Sequence, residues 1–413
     1  MKKYLFLFIL PILFHTNLKS IHPLVRTGID VLRNNNFDVL KNKKIGLITN
    51  ATGVDSNLKS TIDILHANKS CKLIALFCPE HGIRGDKIAG EYIESYRDPI
   101  TKLRVFSLHG KTRKPTRLML KNIDTLVYDI QDIGCRSYTY ISTMGLAMQA
   151  AAENNIDFVI LDRPNPLGGK KIEGPIIKEK YLSFIGKFKI PYIYGLTCGE
   201  LATLLNSENM LGVSKKCKLK VVRMQNWKRT MGFTDTCLPW IPTSPHIPNK
   251  DSAFYYPASG IVGELQVIST GIGYTLPFQT FAAEWINEQE LAKHMNALNL
   301  YGVKFSPVCY KPFYGQSKNK EFHGVQIHLT DPKRANLMDI QFHFIKVHNK
   351  LYPKKDLFKL ATRSRISMFD KAVGTSKIRK ALTNNISVNN IKQKFEKDIT
   401  YFKRLSRKHY LYR

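Results

Sequence analysis

KIGLIT, at residues 44–49, is a short apolar run that ends in a polar turn, NATG. Three later runs repeat the pattern: LIALFC at 73–78 before PEHG, TLVYDI at 125–130 before QD, and FVIL at 158–161 before DRPNP. Unbroken runs of this length and composition are typical of strands buried on both faces of a parallel sheet. Ligands of open α/β sheets bind outside the carboxyl ends of the strands. We therefore predict that the four polar turns meet at one site.

Helical patterns lie between and after these runs. They cover Leu58–Ala67, Thr139–Asn154 and Thr197–Leu205, and the last begins with a capping-box pattern of Thr197 and Glu200. Strands that alternate with helices indicate an α/β fold with a doubly wound parallel sheet.

A proline-rich segment follows this alternating part of the chain. Five prolines lie within Pro239–Pro257, and such density is unfavourable for a helix or an interior strand. We therefore place a domain junction near residue 255. Residues 21–255 are expected to form the domain with the doubly wound sheet, and residues 256–413 a smaller α+β domain.

The first 20 residues, MKKYLFLFILPILFHTNLKS, have the pattern of a secretory signal. Their apolar stretch is about half the roughly 20 residues that a helix needs to cross a bilayer, so we expect cleavage. A membrane anchor is the alternative. We expect the mature protein to be periplasmic or extracellular, without stable membrane insertion.

The chain of 413 residues carries a net charge of +31. Its lysines are scattered, and the sequence contains no nucleic-acid-binding motif, so we do not expect a nucleic-acid partner. A solvated basic surface is one interpretation, and attraction to an anionic polymer such as cell wall is another.

Motifs for cofactors and metals are also missing from the sequence. It has no Walker loop, no G-x-G-x-x-G and no G-x-S-x-G, so we expect no cofactor. The seven cysteines form no C-x-x-C pair, and the other histidines are dispersed relative to His81, so we expect no metal. No disulfide can be assigned from the sequence.

The loop that follows the second run carries the sharpest chemical signal, PEHGIRG at 79–85. Glu80 comes directly after a buried strand, beside His81 and near Arg84, and we expect His81 and Arg84 to contact substrate. Partial burial there is expected to raise the pKa of the Glu80 carboxyl and to suit it to proton donation. The alternative is a loop ion pair of Glu80 with Arg84.

Glu91 is a second carboxylate on the same loop. Hydrolysis of a glycosidic bond commonly uses two carboxyl groups that flank the bond. Glu94 and Asp98 are alternatives for the second role.

The other turns carry side chains that we expect to contact substrate, and they are Asn50, Gln131, Asp132, Arg136, Tyr138, Tyr140, Arg163 and Asn165. A guanidinium of Arg136 or Arg163 can grip a carboxylate with two hydrogen bonds. Alternatively, Arg136 pairs with Asp132, and Arg163 braces the sheet. Tyr138 or Tyr140 is expected to line a sugar subsite.

These motifs resemble the exo-β-N-acetylmuramidase family (NamZ type) over essentially the whole mature chain. The matching stretches are TNATG at 49–53, FCPEHGIRG at 77–85, GE at 90–91, DIQDIGCRSYTY at 129–140, LDRPNPLGG at 161–169, GLTCGELA at 195–202, Trp227 and FDK at 369–371. The resemblance implies a Rossmann-like domain, a smaller C-terminal domain and a cleft between them.

The resemblance also implies a function. It implies release of N-acetylmuramic acid from the non-reducing end of peptidoglycan fragments without a cofactor, and Glu80 and Glu91 match the proposed catalytic glutamates. His246, Ile272 and Gln279 depart from the family pattern on the side of the cleft that would contact substrate. A non-catalytic glycan-binding protein is the alternative function, and a Rossmann-type transferase or esterase is a weaker one.

Overall fold

The structure, a computed structural model, describes residues 24–85, 87–88, 90–315 and 318–413. The expected secretory signal at 1–20 lies outside these residues. Among the described helices, none combines the length and apolar character that crossing a bilayer requires.

Seven strands of the described chain form one sheet. They are β1 (Lys44–Thr49), β2 (Lys72–Cys78), β3 (Tyr96–Arg97), β4 (Arg104–Ser107), β5 (Thr125–Asp129), β6 (Asp157–Leu161) and β7 (Lys218–Val222). Their order is β3-β4-β2-β1-β5-β6-β7, and all pair in parallel except β3, which is antiparallel to β4. The strand order reverses between β1 and β5, so the crevice is expected outside the ends of these two strands.

Helices cover both faces of this sheet. The first four are α1 (Gly28–Asn34), α2 (Thr61–His66), α3 (Tyr140–Glu153) and α4 (Cys198–Ser207). α1 and α2 belong to one apolar cluster with the side of β1 that carries Leu47, whereas α3 and α4 belong to another with Ile48. Adjacent residues of a strand point to opposite faces, so the predicted doubly wound α/β sheet is confirmed.

The C-terminal part contains a smaller antiparallel sheet in the order β8-β10-β9. Its strands are β8 (Thr280–Ala283), β9 (Val303–Tyr310) and β10 (Phe322–Leu329). The remaining helices are α5 (Ser252–Gly263), α6 (Glu288–Asn296), α7 (Leu337–Leu351), α8 (Leu357–Leu360), α9 (Arg363–Val373), α10 (Ser376–Thr383), α11 (Val388–Gln393) and α12 (Glu396–Arg407). This is the expected smaller α+β unit.

The expectation that the prolines exclude a helix is wrong at Pro257, which lies inside α5. Gln341 of α7 donates its Nε2 to the Pro257 carbonyl at 2.8 Å and accepts the Val262 N–H at 2.9 Å. Tertiary contacts therefore supply hydrogen bonds to a helix that contains a proline. α5 also runs across residue 255, where the junction was expected.

Candidate active site

The four polar turns meet at the carboxyl edge of the large sheet. The Gln131 N–H donates to Thr52 Oγ1 at 2.9 Å, and Gln131 Nε2 donates to the Pro164 carbonyl at 2.7 Å. Thr139 Oγ1 donates to Glu80 Oε2 at 2.6 Å. Hydrogen bonds thus connect the turns after β1, β2, β5 and β6, as their position in the sequence predicts.

Glu80 joins this arrangement through Thr139. It follows β2 by two residues, and its side chain is 15% exposed. Besides the Thr139 hydroxyl, the Gly90 N–H donates to its Oε1 at 2.9 Å. The backbone turns sharply after it, because His81 has φ 72° and Gly82 has φ 74°. This turn brings the loop back so that Gly90 reaches the carboxylate.

The expected rise in the pKa of Glu80 is wrong. Burial does raise the pKa of this carboxyl, but hydrogen bonds from Thr139 and Gly90 and the charges of His109 and His81 outweigh burial. The net pKa lies below the ordinary value of a glutamate. Glu80 is therefore ionised in the free protein at neutral pH.

His109 and Arg113 are site residues that the sequence did not reveal. Arg113 Nη1 lies 2.7 Å from His109 Nδ1, and because a guanidinium only donates, the ring proton is on Nε2. That nitrogen is 3.8 Å from Glu80 Oε1. Burial lowers the pKa of His109, more than the charge of Glu80 raises it. At neutral pH the imidazole is therefore uncharged and presents its N–H toward the carboxylate.

Arg113 also contacts an aromatic ring at this site. Its guanidinium lies 4.2 Å from the centroid of the half-buried Phe184 ring. Its charge acts on Glu80 as well. The site therefore includes a partly accessible cation and an aromatic surface beside the carboxylate.

Glu91 follows Gly90, the residue that contacts Glu80. Its side chain is 37% exposed, it accepts the Ile88 N–H at 3.2 Å, and Lys87 Nζ lies 3.6 Å away. The two glutamates are thus held on one loop. The Glu80 side chain is mostly buried, at 15% exposed, whereas the Glu91 side chain is more accessible, at 37%.

The other acids and the arginine of this loop have different surroundings. Asp98 is buried and accepts from Arg84 at 2.9 Å, so Arg84 does not pair with Glu80 as the alternative interpretation required. Glu94 is exposed. Asp98 is thus engaged by Arg84, whereas Glu94, like Glu91, is open to solvent.

Tyr138 and Tyr140 are buried, which contradicts the expectation that one of their rings lines a sugar subsite. The Tyr138 hydroxyl donates to Thr243 Oγ1 at 2.8 Å, and the Tyr140 hydroxyl donates to the Thr243 carbonyl. The two tyrosines therefore hold the segment that leads to His246.

His246 is half-buried near His81, which is on the loop that carries Glu80. Burial lowers its pKa, and the charge of His81 lowers it further. Its ring is parallel to that of Tyr314, within 8°, at a centroid distance of 6.1 Å. A C-terminal loop thus reaches the site through His246. The other two departures from the family pattern, Ile272 and Gln279, are both partly exposed.

The proposed carboxylate-binding role of Arg136 is wrong. Its guanidinium is fully buried and donates to four main-chain carbonyls, those of Pro175, Ile190, Ala372 and Val373, at 2.7–2.9 Å. Burial lowers its pKa to about 10. Arg136 therefore connects the sheet domain to the end of α9.

Arg163 braces the sheet, as the alternative interpretation expected. Its Nε and Nη2 donate to the two oxygens of Asp129 at 2.5 and 3.0 Å, and Nη2 also donates to the Val54 carbonyl at 2.7 Å. The donors that would grip a substrate carboxylate in a two-bond geometry are thus engaged.

Asp132 does not pair with Arg136. It accepts from the Gly134 N–H at 2.7 Å and from the Tyr194 hydroxyl, and burial raises its pKa to about 7. Its Oδ1 has no hydrogen-bond partner among the residues that the structure describes.

The two asparagines of the predicted set fix their own turns. Asn50 Oδ1 accepts from the Thr52 N–H at 3.0 Å. Asn165 accepts from the Leu167 N–H at 2.9 Å and donates to the Leu196 carbonyl at 2.9 Å. Both side chains are buried, so they shape the crevice from below.

Comparisons with known proteins agree on one family. The N-terminal model of exo-beta-N-acetylmuramidase NamZ matches residues 45–251, and the C-terminal model matches residues 254–412. The chain is 46% identical over 390 residues to peptidoglycan beta-N-acetylmuramidase NamZ of Bacillus subtilis (strain 168), covering 94% of this chain and 92% of that protein.

Two crystal structures of DUF1343 family proteins from Bacteroides fragilis NCTC 9343 are similar to this one. The first has a TM-score of 0.90 at 52% identity and covers 95% of this chain and 100% of that chain. The second has a TM-score of 0.74 at 30% identity and covers 94% and 99%, respectively. The similarity includes both parts of the fold.

Proposed function

Because the chain belongs to the exo-β-N-acetylmuramidase NamZ family, we propose that it releases N-acetylmuramic acid from the non-reducing end of peptidoglycan fragments. The observation that carries this proposal is the pair of glutamates on one loop, with the Glu80 side chain only 15% exposed and hydrogen-bonded to Thr139 of the turn after β5. Most glycosidases cleave the glycosidic bond with two carboxyl groups that flank it.

Glu80 protonates the glycosidic oxygen in this proposal. Since Glu80 is ionised in the free protein, it must take up a proton when substrate binds. The lactyl carboxylate of muramic acid brings a second negative charge, and the sugar excludes water. Both effects raise the pKa of a neighbouring carboxyl. Bound substrate thus favours the protonated form of Glu80, which then donates its proton to the glycosidic oxygen.

Arg113 replaces Arg136 and Arg163 as the cation for the lactyl carboxylate. It is partly accessible, it already lies beside His109, and its charge acts on Glu80. A guanidinium can bind a carboxylate with two hydrogen bonds. Phe184 beneath it offers an apolar face to the sugar.

Glu91 acts on the other side of the bond. Its exposure allows it to approach the substrate as base or nucleophile, or to orient the acetamido group if that group attacks.

We also infer an exported protein with a role in cell-wall turnover or recycling. The signal-like pattern of the first 20 residues and the net charge of +31, which favours an anionic wall, support this inference.

Turnover of a chromogenic muramic-acid glycoside tests the proposal. Glu80→Gln keeps the size of the side chain but removes the titrating group, and we expect turnover to fall by about 100-fold or more. Glu94→Gln is the matched control, an exposed acid of the same loop, and should retain wild-type turnover. Near-normal turnover by Glu80→Gln would reject the assignment. Binding of wall fragments without released sugar, followed by chromatography, would instead identify a glycan-binding protein.

A further inference from the structure

A second cluster of reactive side chains lies in the C-terminal domain, where β9 ends and β10 begins. Cys309 and His323 face each other as cross-strand partners, and Glu288 is the first residue of α6. Cys309 Sγ is 3.2 Å from His323 Nδ1, which is 3.4 Å from Glu288 Oε2. One ligand atom from each residue lies within 4.8 Å of the other two.

The distances of 3.2 and 3.4 Å from His323 Nδ1 are within about 0.4 Å of the edges of a tetrahedral zinc site. Zinc binds sulfur at about 2.3 Å, imidazole nitrogen at about 2.0–2.1 Å and carboxylate oxygen at about 2.0–2.2 Å, so ligand atoms around one ion are separated by about 3.3–3.7 Å. We propose that Glu288, Cys309 and His323 bind a zinc ion whose fourth position is open to water.

A fourth side chain supports the histidine as a ligand. Glu321 Oε1 lies 3.4 Å from His323 Nε2, on the ring edge opposite the cluster, and Lys311 Nζ holds the other Glu321 oxygen at 3.0 Å. A metal-binding imidazole characteristically gives its second N–H to a carboxylate, which fixes the tautomer. With Nε2 carrying the proton toward Glu321, Nδ1 is left with its lone pair toward Cys309 and Glu288.

The charge of the cluster is also unusual for this chain. The net charge of the chain is +31, yet two carboxylates, those of Glu288 and Glu321, lie beside the His323 imidazole. His323 and Glu288 are 31% and 26% exposed, so an ion can enter from solvent. Binding replaces the thiol proton of Cys309, which is released to water, with a sulfur–zinc bond.

Zinc at this position would cross-link β9 to β10. The loop between these strands carries Tyr314. The Tyr314 ring stacks on His246, which lies near the loop that carries Glu80. The metal therefore has a structural role. It stabilises the base of the loop that reaches the active site, and it takes no part in bond cleavage.

Binding of zinc and cobalt by the full chain tests this proposal without any assay of activity. Equilibrium dialysis should find one zinc ion per chain, and cobalt should give the near-ultraviolet absorption of a sulfur-to-cobalt bond. Cys309→Ser and His323→Ala should abolish both signals. Glu321→Gln should weaken binding about 10–100-fold, as loss of an outer-shell partner does.

Cys237→Ser is the matched control, because Cys237 is the other exposed free cysteine. It should bind zinc as the wild type does. Absence of stoichiometric binding would overturn the proposal, and so would equal binding by Cys309→Ser or loss of binding in Cys237→Ser. Circular dichroism of each variant separates lost ligation from lost folding.

Discussion

His109 Nε2 lies 3.8 Å from Glu80 Oε1, and Arg113 holds the opposite nitrogen of the same imidazole. The guanidinium fixes the tautomer, so the imidazole always offers an N–H to the carboxylate. With the Thr139 hydroxyl and the Gly90 N–H, Glu80 has hydrogen-bond donors around both oxygens. This environment favours the anion, and substrate must overcome it before the carboxyl can donate a proton.

The first prediction concerns the pH dependence of turnover. The value of kcat/KM reports the free enzyme, in which the pKa of Glu80 is lowered, so kcat/KM should decline as pH rises even below neutrality. The value of kcat reports the complex, in which the bound carboxylate and lost water raise this pKa. The basic limb of kcat should therefore lie at higher pH than the basic limb of kcat/KM. Coinciding limbs would contradict the proposed role of substrate.

His109→Gln tests the origin of the lowered pKa. His109 is neutral at neutral pH, but in the acidic range where Glu80 titrates its charge is one of the effects that lower the pKa of Glu80. Without it, the basic limb of kcat/KM should move to higher pH. A purely structural role of His109 would reduce turnover at every pH and leave the limb in place.

The second prediction concerns Arg113. Arg113→Met removes the guanidinium but keeps an apolar side chain over Phe184. A charged hydrogen bond contributes about 1.5–3 kcal/mol, so kcat/KM for a muramic-acid glycoside should fall about 10–100-fold. The matched glucosamine glycoside lacks the lactyl group and should lose far less. The exposed Arg117→Met is the control, and equal losses on both substrates would exclude Arg113 as the carboxylate-binding residue.

Much of the sheet was predictable from local sequence. Short apolar runs gave the strands, and the polar residues after them converge because parallel strands end on one edge. The capping box of Thr197 and Glu200 is also present. Such features depend on neighbours in the chain.

The partners of the arginines were not predictable. Arg136 donates to the carbonyls of Ala372 and Val373, which are 236 and 237 residues away in the sequence. A local sequence pattern cannot predict such a contact. His109 and Arg113 lie in SLHGKTR at 107–113, the stretch at the end of β4. This stretch contains no acid, so nothing in it indicates a catalytic role until the fold places Glu80 beside it. The Glu80 pKa was predicted in the wrong direction because burial alone was considered, without the donors that the fold supplies.

The third prediction concerns Arg136 and stability. Arg136→Met removes the guanidinium from four buried carbonyls, of which only that of Ile190 keeps another donor, the Ile177 N–H at 3.4 Å. One unsatisfied buried group costs about 1–3 kcal/mol. We expect the free energy of unfolding in urea to fall by at least about 3 kcal/mol. Arg334→Met, whose side chain is 71% exposed, should change it by less than about 0.5 kcal/mol. A variant of normal stability with a raised KM would restore Arg136 as a substrate residue.

The last prediction compares two helical glycines. A Cβ at Gly145 of α3 would lie 2.0 Å from the Phe188 ring, whereas at Gly260 of α5 it would have no atom nearer than 3.6 Å. Gly145→Ala should therefore destabilise the protein by about 1–3 kcal/mol through overpacking. Gly260→Ala should stabilise it by up to about 1 kcal/mol, because alanine favours the helix. Urea unfolding of both variants measures the difference, and a neutral Gly145→Ala would show that α3 and Phe188 are not in the close contact described.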